Sequence, residues 1–359
     1  MKKISDIDPA VLAAVRKGIV IPAMPLALDA NRKYSPRYQR ALCRYYVDAG
    51  AGGLAIGVHS TQFEIRDPDI GLFETVLAEA SGFVDSQAKK SGKPFFRIAG
   101  ACGKTDQAVR EAAFAGENGY DACLLSMAAF KDASVDEMIA HCREIAGVMP
   151  IFGFYLQPKT GGRLLPYEFW REFAEIENVL GIKMAPFNRY QTLDVVRGVI
   201  EAGREDEIVL YTGNDDNIVV DLLTEYRMTI DGEERCVRIV GGLLGHWAVW
   251  TQKVVEMLDQ IHEIVTPGAP IPQHFLSLNV EVTDCNAVLF DAANEFNGCL
   301  PGIHEVLYRQ GLIEFTGCLD SKQALSPGQA EEIDRLYRLY PHLADDDFVA
   351  ANLERWLAD

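Results

Sequence analysis

The sequence predicts a closed (β/α)8 TIM barrel followed by a C-terminal helical extension. Three observations carry this expectation. From residue 18 onward, short apolar runs ending in Gly, Pro or a polar residue alternate with longer amphipathic segments. Such alternation with short connections implies parallel strands joined by helices. About eight of these units occupy roughly 250 residues, the size of a closed barrel. After residue 266 the alternation stops and helical periodicity takes over. The expected organisation is therefore a barrel over residues 1–265, with its site at the C-terminal ends of the strands, and a helical extension over 266–359 packed on it. A doubly wound open sheet is the alternative, but the GxGxxG fingerprint expected after its first strand is missing.

The first apolar run is Gly18-Ile19-Val20-Ile21-Pro22-Ala23, and Ser35 with Pro36 can open the helix that follows. The second run, Gly53–Gly57, leads into the loop His59-Ser60-Thr61-Gln62 and a helix near 71–91. The third and fourth, Pro94–Gly100 and Asp121–Ser126, precede helices near 105–118 and 134–147. The fifth, Pro150–Tyr155, runs into the Gly-bearing loop Pro158–Arg163 and a helix near 167–176. The sixth is Leu180-Gly181-Ile182-Lys183-Met184-Ala185, followed by a helix near 188–203. The seventh, Glu207–Gly213, and the eighth, Val237–Gly242, complete the set, with helices near 216–226 and 246–264. Before the eighth, Met228–Cys236 reads as a small surface hairpin turning at Asp231-Gly232. Pro267, Pro270 and Pro272 mark a break, and further helices are expected near 274–294, 300–310, 327–340 and 346–357.

Composition narrows the function. The formal net charge of −18 argues against nucleic acid or an anionic membrane as partner. No apolar run reaches the roughly 18–20 residues that span a bilayer. The N-terminus has no apolar stretch behind its charges, so no signal peptide is expected and the cytoplasm is the expected location. The eight cysteines form no CxxC pair and stand in apolar settings such as Ala122-Cys123-Leu124. They are expected to be reduced core residues.

The chemistry centres on Lys183. Alternation places Gly181, Lys183 and Ala185 on one face of the sixth strand. A buried ammonium is costly and tends to lose its proton, which makes it a nucleophilic amine. On the fifth strand Ile151, Gly153 and Tyr155 share a face, so a phenol is expected beside the amine as a proton shuttle. Arg163, Lys159 and the loop glycine Gly161 are candidates to hold a substrate carboxylate. His59 and His246, each following a strand, are candidate general acids or bases. Asn214-Asp215-Asp216 also fits a plain helix cap. No cofactor and no metal are expected: His59, Asp215 and His246 have no HxH or HExxH spacing to support a metal site.

At these positions the sequence resembles the dihydrodipicolinate synthase / N-acetylneuraminate lyase family. The residues that carry the resemblance are Tyr155-Leu156-Gln157-Pro158 with its Gly-bearing loop, Gly181-Ile182-Lys183, Thr212-Gly213-Asn214-Asp215, and the opening Ile21-Pro22-Ala23-Met24-Pro25. The resemblance implies a Schiff base between Lys183 and the ketone of a 2-oxo acid, with Tyr155 relaying protons. It implies that backbone amides after the second strand hold the acid's carboxylate, which makes Val58 and Ser60 substrate-binding positions together with Thr160, Gly213 and Asn214. It also implies a homodimer or homotetramer. The departures are specific. Val58 stands where the family has the hydroxyl that partners the tyrosine, with His59 beside it as a replacement. Phe130 stands in place of a second tyrosine, and Thr160 in place of the synthase arginine. The expectation is a Schiff-base lyase, an aldolase or dehydratase acting on a sugar-acid-like or pyruvate-derived 2-oxo acid, with dihydrodipicolinate synthase activity disfavoured. The alternative is a degenerate barrel that binds a small carboxylic acid.

Overall fold

Strand lengths follow the apolar runs closely. In the computed structural model, which describes residues 1–266 and 268–358, the strands are β1 (Val20–Pro22), β2 (Gly53–Ile56), β3 (Phe96–Ala101), β4 (Ala122–Ser126), β5 (Ile151–Leu156), β6 (Val179–Ala185), β7 (Val209–Thr212), β8 (Glu225–Ile230) and β9 (Glu233–Leu244). The helices are α1 (Pro9–Lys17), α2 (Pro36–Asp48), α3 (Phe73–Ser91), α4 (Thr105–Glu117), α5 (Val135–Ala146), α6 (Tyr167–Ala174), α7 (Arg189–Glu201), α8 (Ile218–Leu223), α9 (Thr251–Ile264), α10 (His274–Leu289), α11 (Cys299–Arg309), α12 (Gln329–Leu339) and α13 (Asp346–Leu357). Eight parallel strands with helices between them make a (β/α)8 TIM barrel, and C-terminal helices follow. Pro267, one of the three prolines expected to break the pattern, lies outside the described residues.

The chain divides into two compact units. One comprises Met1–Ile19 and Phe96–Leu243, and the other comprises Val20–Phe95 and the segment from Leu244 onward. In the first unit β3, β4, β5, β6, β7 and β9 pair in that order, all parallel. The helix α1, which the alternation did not reveal, is capped by Asp8, whose carboxylate accepts from the amides of Ala10 and Val11. The buried phenol of Tyr211 donates to the Val15 carbonyl at 2.8 Å and accepts from the Ile19 amide at 3.1 Å. The end of α1 is thereby fixed to β7.

The expected hairpin is present, and it is longer than the sequence suggested. Its antiparallel pairing runs from Glu225↔Arg238 to Ile230↔Glu233. Asp231 (φ 52°) and Gly232 (φ 84°) both occupy the left-handed region, as a two-residue turn between twisted strands demands. The hairpin is no detached insertion, because β9 continues into parallel pairing with β7 at Ile239, Gly241 and Gly242. All eight cysteines are free thiols. The expectation that all are core residues fails at Cys236, which is exposed on β9, and at Cys102, which is half-buried. On the hairpin, alternation turns residue 236 outward.

In the second unit β1 and β2 meet through the parallel bridge Ala23↔Ala55. Here the C-terminal helices are tied to α2. The buried Asp345 accepts from the Tyr45 hydroxyl at 2.8 Å, the Gln252 amide at 3.1 Å and the Gln310 side-chain amide at 2.9 Å. Trp356 on α13 is fully buried, lies edge-on to Tyr45 with ring centroids 5.4 Å apart, and donates its indole N–H to Asp48 at 2.7 Å. Trp356→Ala is expected to destabilise the protein by about 3–5 kcal/mol, the usual cost of removing a buried tryptophan. Chemical denaturation of the two proteins measures this difference.

Candidate active site

Lys183 occupies the middle of β6 and is 8% exposed. Its lateral neighbours in the sheet are Phe154 on β5 and Tyr211 on β7. Directly paired residues project to the same side of a sheet, so these two rings flank the lysine. The Nζ lies 4.3 Å from the centroid of the Phe154 ring, within the range of a cation–π contact. The stem of Lys183 crosses the bare backbone of Gly213. A Cβ there would lie 2.7 Å from the lysine Cε and 3.0 Å from the Ala185 Cβ. A side chain at Gly213, just past the end of β7, would force the lysine stem or Ala185 to shift.

Burial pulls the Lys183 ammonium well below its ordinary value, to about 8, and the Asp215 carboxylate opposes the shift. Burial likewise pushes the Asp215 carboxyl well above the usual carboxylate range. Lys183 works against that shift, and Asp216 adds to it. Asp215 is half-buried, with its Oδ1 closed off from solvent. The two groups form one titrating pair.

Tyr155 does not face the amine. Its partner across the sheet is Met184, which places it on the opposite side of β5 from Phe154 and Lys183. There its ring packs on Trp170 of α6, centroids 5.4 Å apart, and its hydroxyl accepts from the Leu165 amide at 3.3 Å. Gly153 faces the same helix, since a Cβ on it would meet the rings of Phe173 and Trp170. The expectation of a phenol beside the amine is thus corrected to Phe154 beside the amine. A register shift between Ile151 and Phe152 sets which residue pairs with Lys183. Tyr155→Phe should cost the single Leu165 hydrogen bond, about 0.5–1.5 kcal/mol, and leave any reaction of the Lys183 amine within about threefold of wild type. Denaturation and amine-trapping rates on the same preparation check both parts.

Asn214, expected to touch substrate, is engaged with protein groups. Its Oδ1 accepts from the Phe187 amide at 3.2 Å, and its Nδ2 donates to Thr192 at 3.3 Å and to Asp221 at 2.9 Å. The fully buried Asp221 also accepts from Thr212 at 2.8 Å, from Asn217 at 3.0 Å and from Arg189. This network fixes the turn after β7. The alternative role of residues 214–216 as a helix cap is not seen either, because the residue preceding α8 is Asn217.

Arg163 also serves the fold. Its guanidinium donates to the carbonyls of Phe130 and Ala133, the latter at 3.2 Å, and its Nε donates to Leu164 at 3.2 Å. These bonds pin the loop after β5 to the loop after β4. Thr160 closes a 3-10 turn by donating its hydroxyl to the Gln157 carbonyl at 3.3 Å, and Gly161 takes the left-handed conformation that follows (φ 95°).

Val58, His59, Ser60 and His246 belong to the second unit. Val58 and Ser60 are buried. His59 opens a 3-10 turn, with its ring centroid 5.9 Å from that of Phe63. The turn is held by Thr61, whose hydroxyl donates to the Met24 carbonyl at 2.8 Å and accepts from the Gly57 amide at 3.0 Å. His246 is buried and edge-on to Trp250, and burial pulls its imidazole down to about 4. It is therefore held in its neutral form at pH 7, which can accept a proton but does not act as an imidazolium acid near neutrality.

Sequence reasoning missed two residues at this site, Phe154 and Asp215 as the lysine's electrostatic partner. The first depends on strand register, which no local motif displays. The second was open to reading as the nearest carboxylate beyond Gly213.

Comparison with known proteins bears on the fold and the family. The model of the dihydrodipicolinate synthetase family matches residues 18–225. A 4-hydroxy-tetrahydrodipicolinate synthase from Alkaliphilus oremlandii is 31% identical over 117 residues, which cover 32% of this chain and 38% of that protein. The match thus spans well under two thirds of the relative's length. The solved structure of YagE, a prophage protein from E. coli K12 crystallised with pyruvate, superposes with a TM-score of 0.71 at 16% identity, over 92% of this chain and 99% of its own. CdNal from Clostridium difficile, crystallised with mannosamine, superposes with a TM-score of 0.66 at 16% identity, over 90% and 99%. At such identities the likeness establishes the fold, and the family match over more than half of the chain establishes kinship. The chain belongs to the dihydrodipicolinate synthetase family.

Proposed function

We propose that the protein is a lysine-dependent lyase that captures a small 2-oxo acid as an imine on Lys183. The observation that carries this reading is the buried Lys183 amine, shifted toward its neutral form and walled by Phe154 and Gly213. A neutral amine has the free electron pair that adds to a ketone, and the protonated imine then draws electrons from the adjacent bond. Family membership supports chemistry of this class, and the pyruvate complex of YagE supports a 2-oxo acid as ligand. We favour a sugar-acid-like or pyruvate-derived substrate. Dihydrodipicolinate synthesis is the less favoured reaction, since Phe130 and Thr160 stand where the synthase pattern has a tyrosine and an arginine. The proposed working form is a cytoplasmic homodimer or homotetramer.

The test is borohydride reduction in the presence of pyruvate and a panel of 2-oxo acids, followed by peptide mass mapping. A pyruvate-derived adduct on the peptide holding Lys183 is the expected result. Absence of any adduct across the panel would overturn the reading.

A second reading, a barrel that binds a carboxylic acid without turnover, is favoured by one observation, the phenyl ring of Phe154 in the place expected for a phenol. A 2-oxo acid that raises Tm but leaves no reduced adduct would establish it.

A further inference from the structure

We propose that Asp215 is the proton partner of the Lys183 amine and supplies the proton that leaves with water when the imine forms. The proposal rests on Lys183 as the imine-forming residue.

No aromatic neighbour of Lys183 offers a proton at the amine. Phe154 has no hydroxyl. The Tyr211 hydroxyl is engaged with Val15 and Ile19. The Tyr155 hydroxyl lies on the other face of β5, against Leu165. Meanwhile the lysine stem crosses β7 at Gly213, two residues before Asp215. Between them Asn214 is held by Phe187, Thr192 and Asp221, so the backbone that carries Asp215 is fixed. The Oδ1 of Asp215 is shut off from solvent. Asp215 is the charged group that acts on Lys183, while Lys183 and Asp216 are the groups that act on Asp215.

The chemistry of such a pair is balanced within itself. An ammonium beside a carboxylate and an amine beside a carboxylic acid hold the same protons and the same charge. In the second form the nitrogen electron pair adds to the ketone carbon, and the C–O π electrons move onto oxygen. That oxygen gains one amine proton and then the Asp215 proton and departs as water, while the nitrogen keeps its other proton and its electron pair forms the C=N bond. In sum, R–NH2, Asp–COOH and R′2C=O give R–NH+=CR′2, Asp–COO− and H2O. The new cation then lies beside a new anion. Hydrolysis reverses each step, so no outside acid is consumed.

The experiment follows cyanoborohydride trapping of pyruvate on the full-length protein from pH 5.5 to 9.5, for wild type, Asp215→Asn and Asp215→Glu. Asparagine is expected to lower the maximum rate by about 10²–10⁴-fold, the range for losing a positioned general acid. It should also move the acid limb of the profile to lower pH, because the anion that holds the proton on Lys183 is gone. Glutamate should restore the maximum to within about tenfold of wild type, since the acid group is kept and only its placement changes. An Asp215→Asn profile that matches wild type in height and midpoint overturns the proposal and leaves Lys183 standing. Failure to trap wild type overturns both. Should Asp215→Asn not fold, as judged by circular dichroism, Asp215→Ser decides in its place: a lowered maximum with the acid limb moved to lower pH supports the proposal, and a profile that matches wild type overturns it.

Discussion

Lys183→Met is expected to be inert toward every 2-oxo acid yet folded. Losing a nucleophile that acts as part of a catalytic unit lowers turnover by a factor on the order of 10⁴–10⁶. Reduction with borohydride should then leave no adduct at all. Methionine fills most of the volume of the lysine stem, and swaps that conserve volume cost less than about 1.5 kcal/mol. Asp215 need not remain an anion once the lysine is gone, since its carboxyl is already pushed toward the neutral form. Lys183→Arg should be equally inert for a different reason, because a guanidinium stays charged at any accessible pH. The wild-type pH profile completes the prediction. A base is reactive above its pKa and silent below it, and burial lowers that of Lys183 to about 8. Trapping should therefore rise with pH through this region, roughly two units below the value of about 10.4 for an exposed lysine. A midpoint near 10 would mean that the amine is solvated and would remove the basis for its reactivity.

The second large effect is expected from Gly213→Ala. The added methyl would stand 2.7 Å from the lysine Cε and 3.0 Å from the Ala185 Cβ. Neither neighbour moves freely: the Ala185 Cβ is fixed to the β6 backbone, and the Lys183 Nζ lies against the Phe154 ring. Overpacking of this kind costs about 1–3 kcal/mol. The functional loss should be larger, because displacing a reacting group by about 1 Å can cost 10²-fold. Trapping rates at saturating pyruvate, compared with unfolding midpoints, separate the two. A variant as reactive as wild type would show that the amine does not depend on its path over β7.

The eight barrel strands, the helices that follow them and the Asp231-Gly232 turn were all legible because each rests on local chemistry: alternation, caps and a pair of residues that tolerate positive φ. Lys183 was legible for the same reason, a cation inside an apolar strand. Tyr155 was not. Its position along β5 followed from the motif, but its face depends on how β5 registers against β6. One residue of register exchanges every inward and outward side chain, and the irregularity between Ile151 and Phe152 lies upstream of the motif. Arg163 and Asn214 illustrate a different limit. Both stand where a substrate group was expected, and both are taken by backbone or side-chain partners that only the folded chain brings within reach. His246 has the residue type of an acid–base group, and burial holds it in the neutral form, which no local motif displays. The first helix escaped notice because α1 precedes the first apolar run and its hydrophobic face covers barely two turns.

The phenol of Tyr211 gives the beginning of the chain an unexpected importance. Tyr211 is the direct sheet neighbour of Lys183, and its hydroxyl is fastened to the turn at the end of α1. The opening residues therefore act as a stopper beneath the reactive strand. An expression tag fused there, or a trimming of residues 1–17, would bear on the ring beside the amine. Such changes should register in the reactivity of Lys183 before they register in the solubility of the protein.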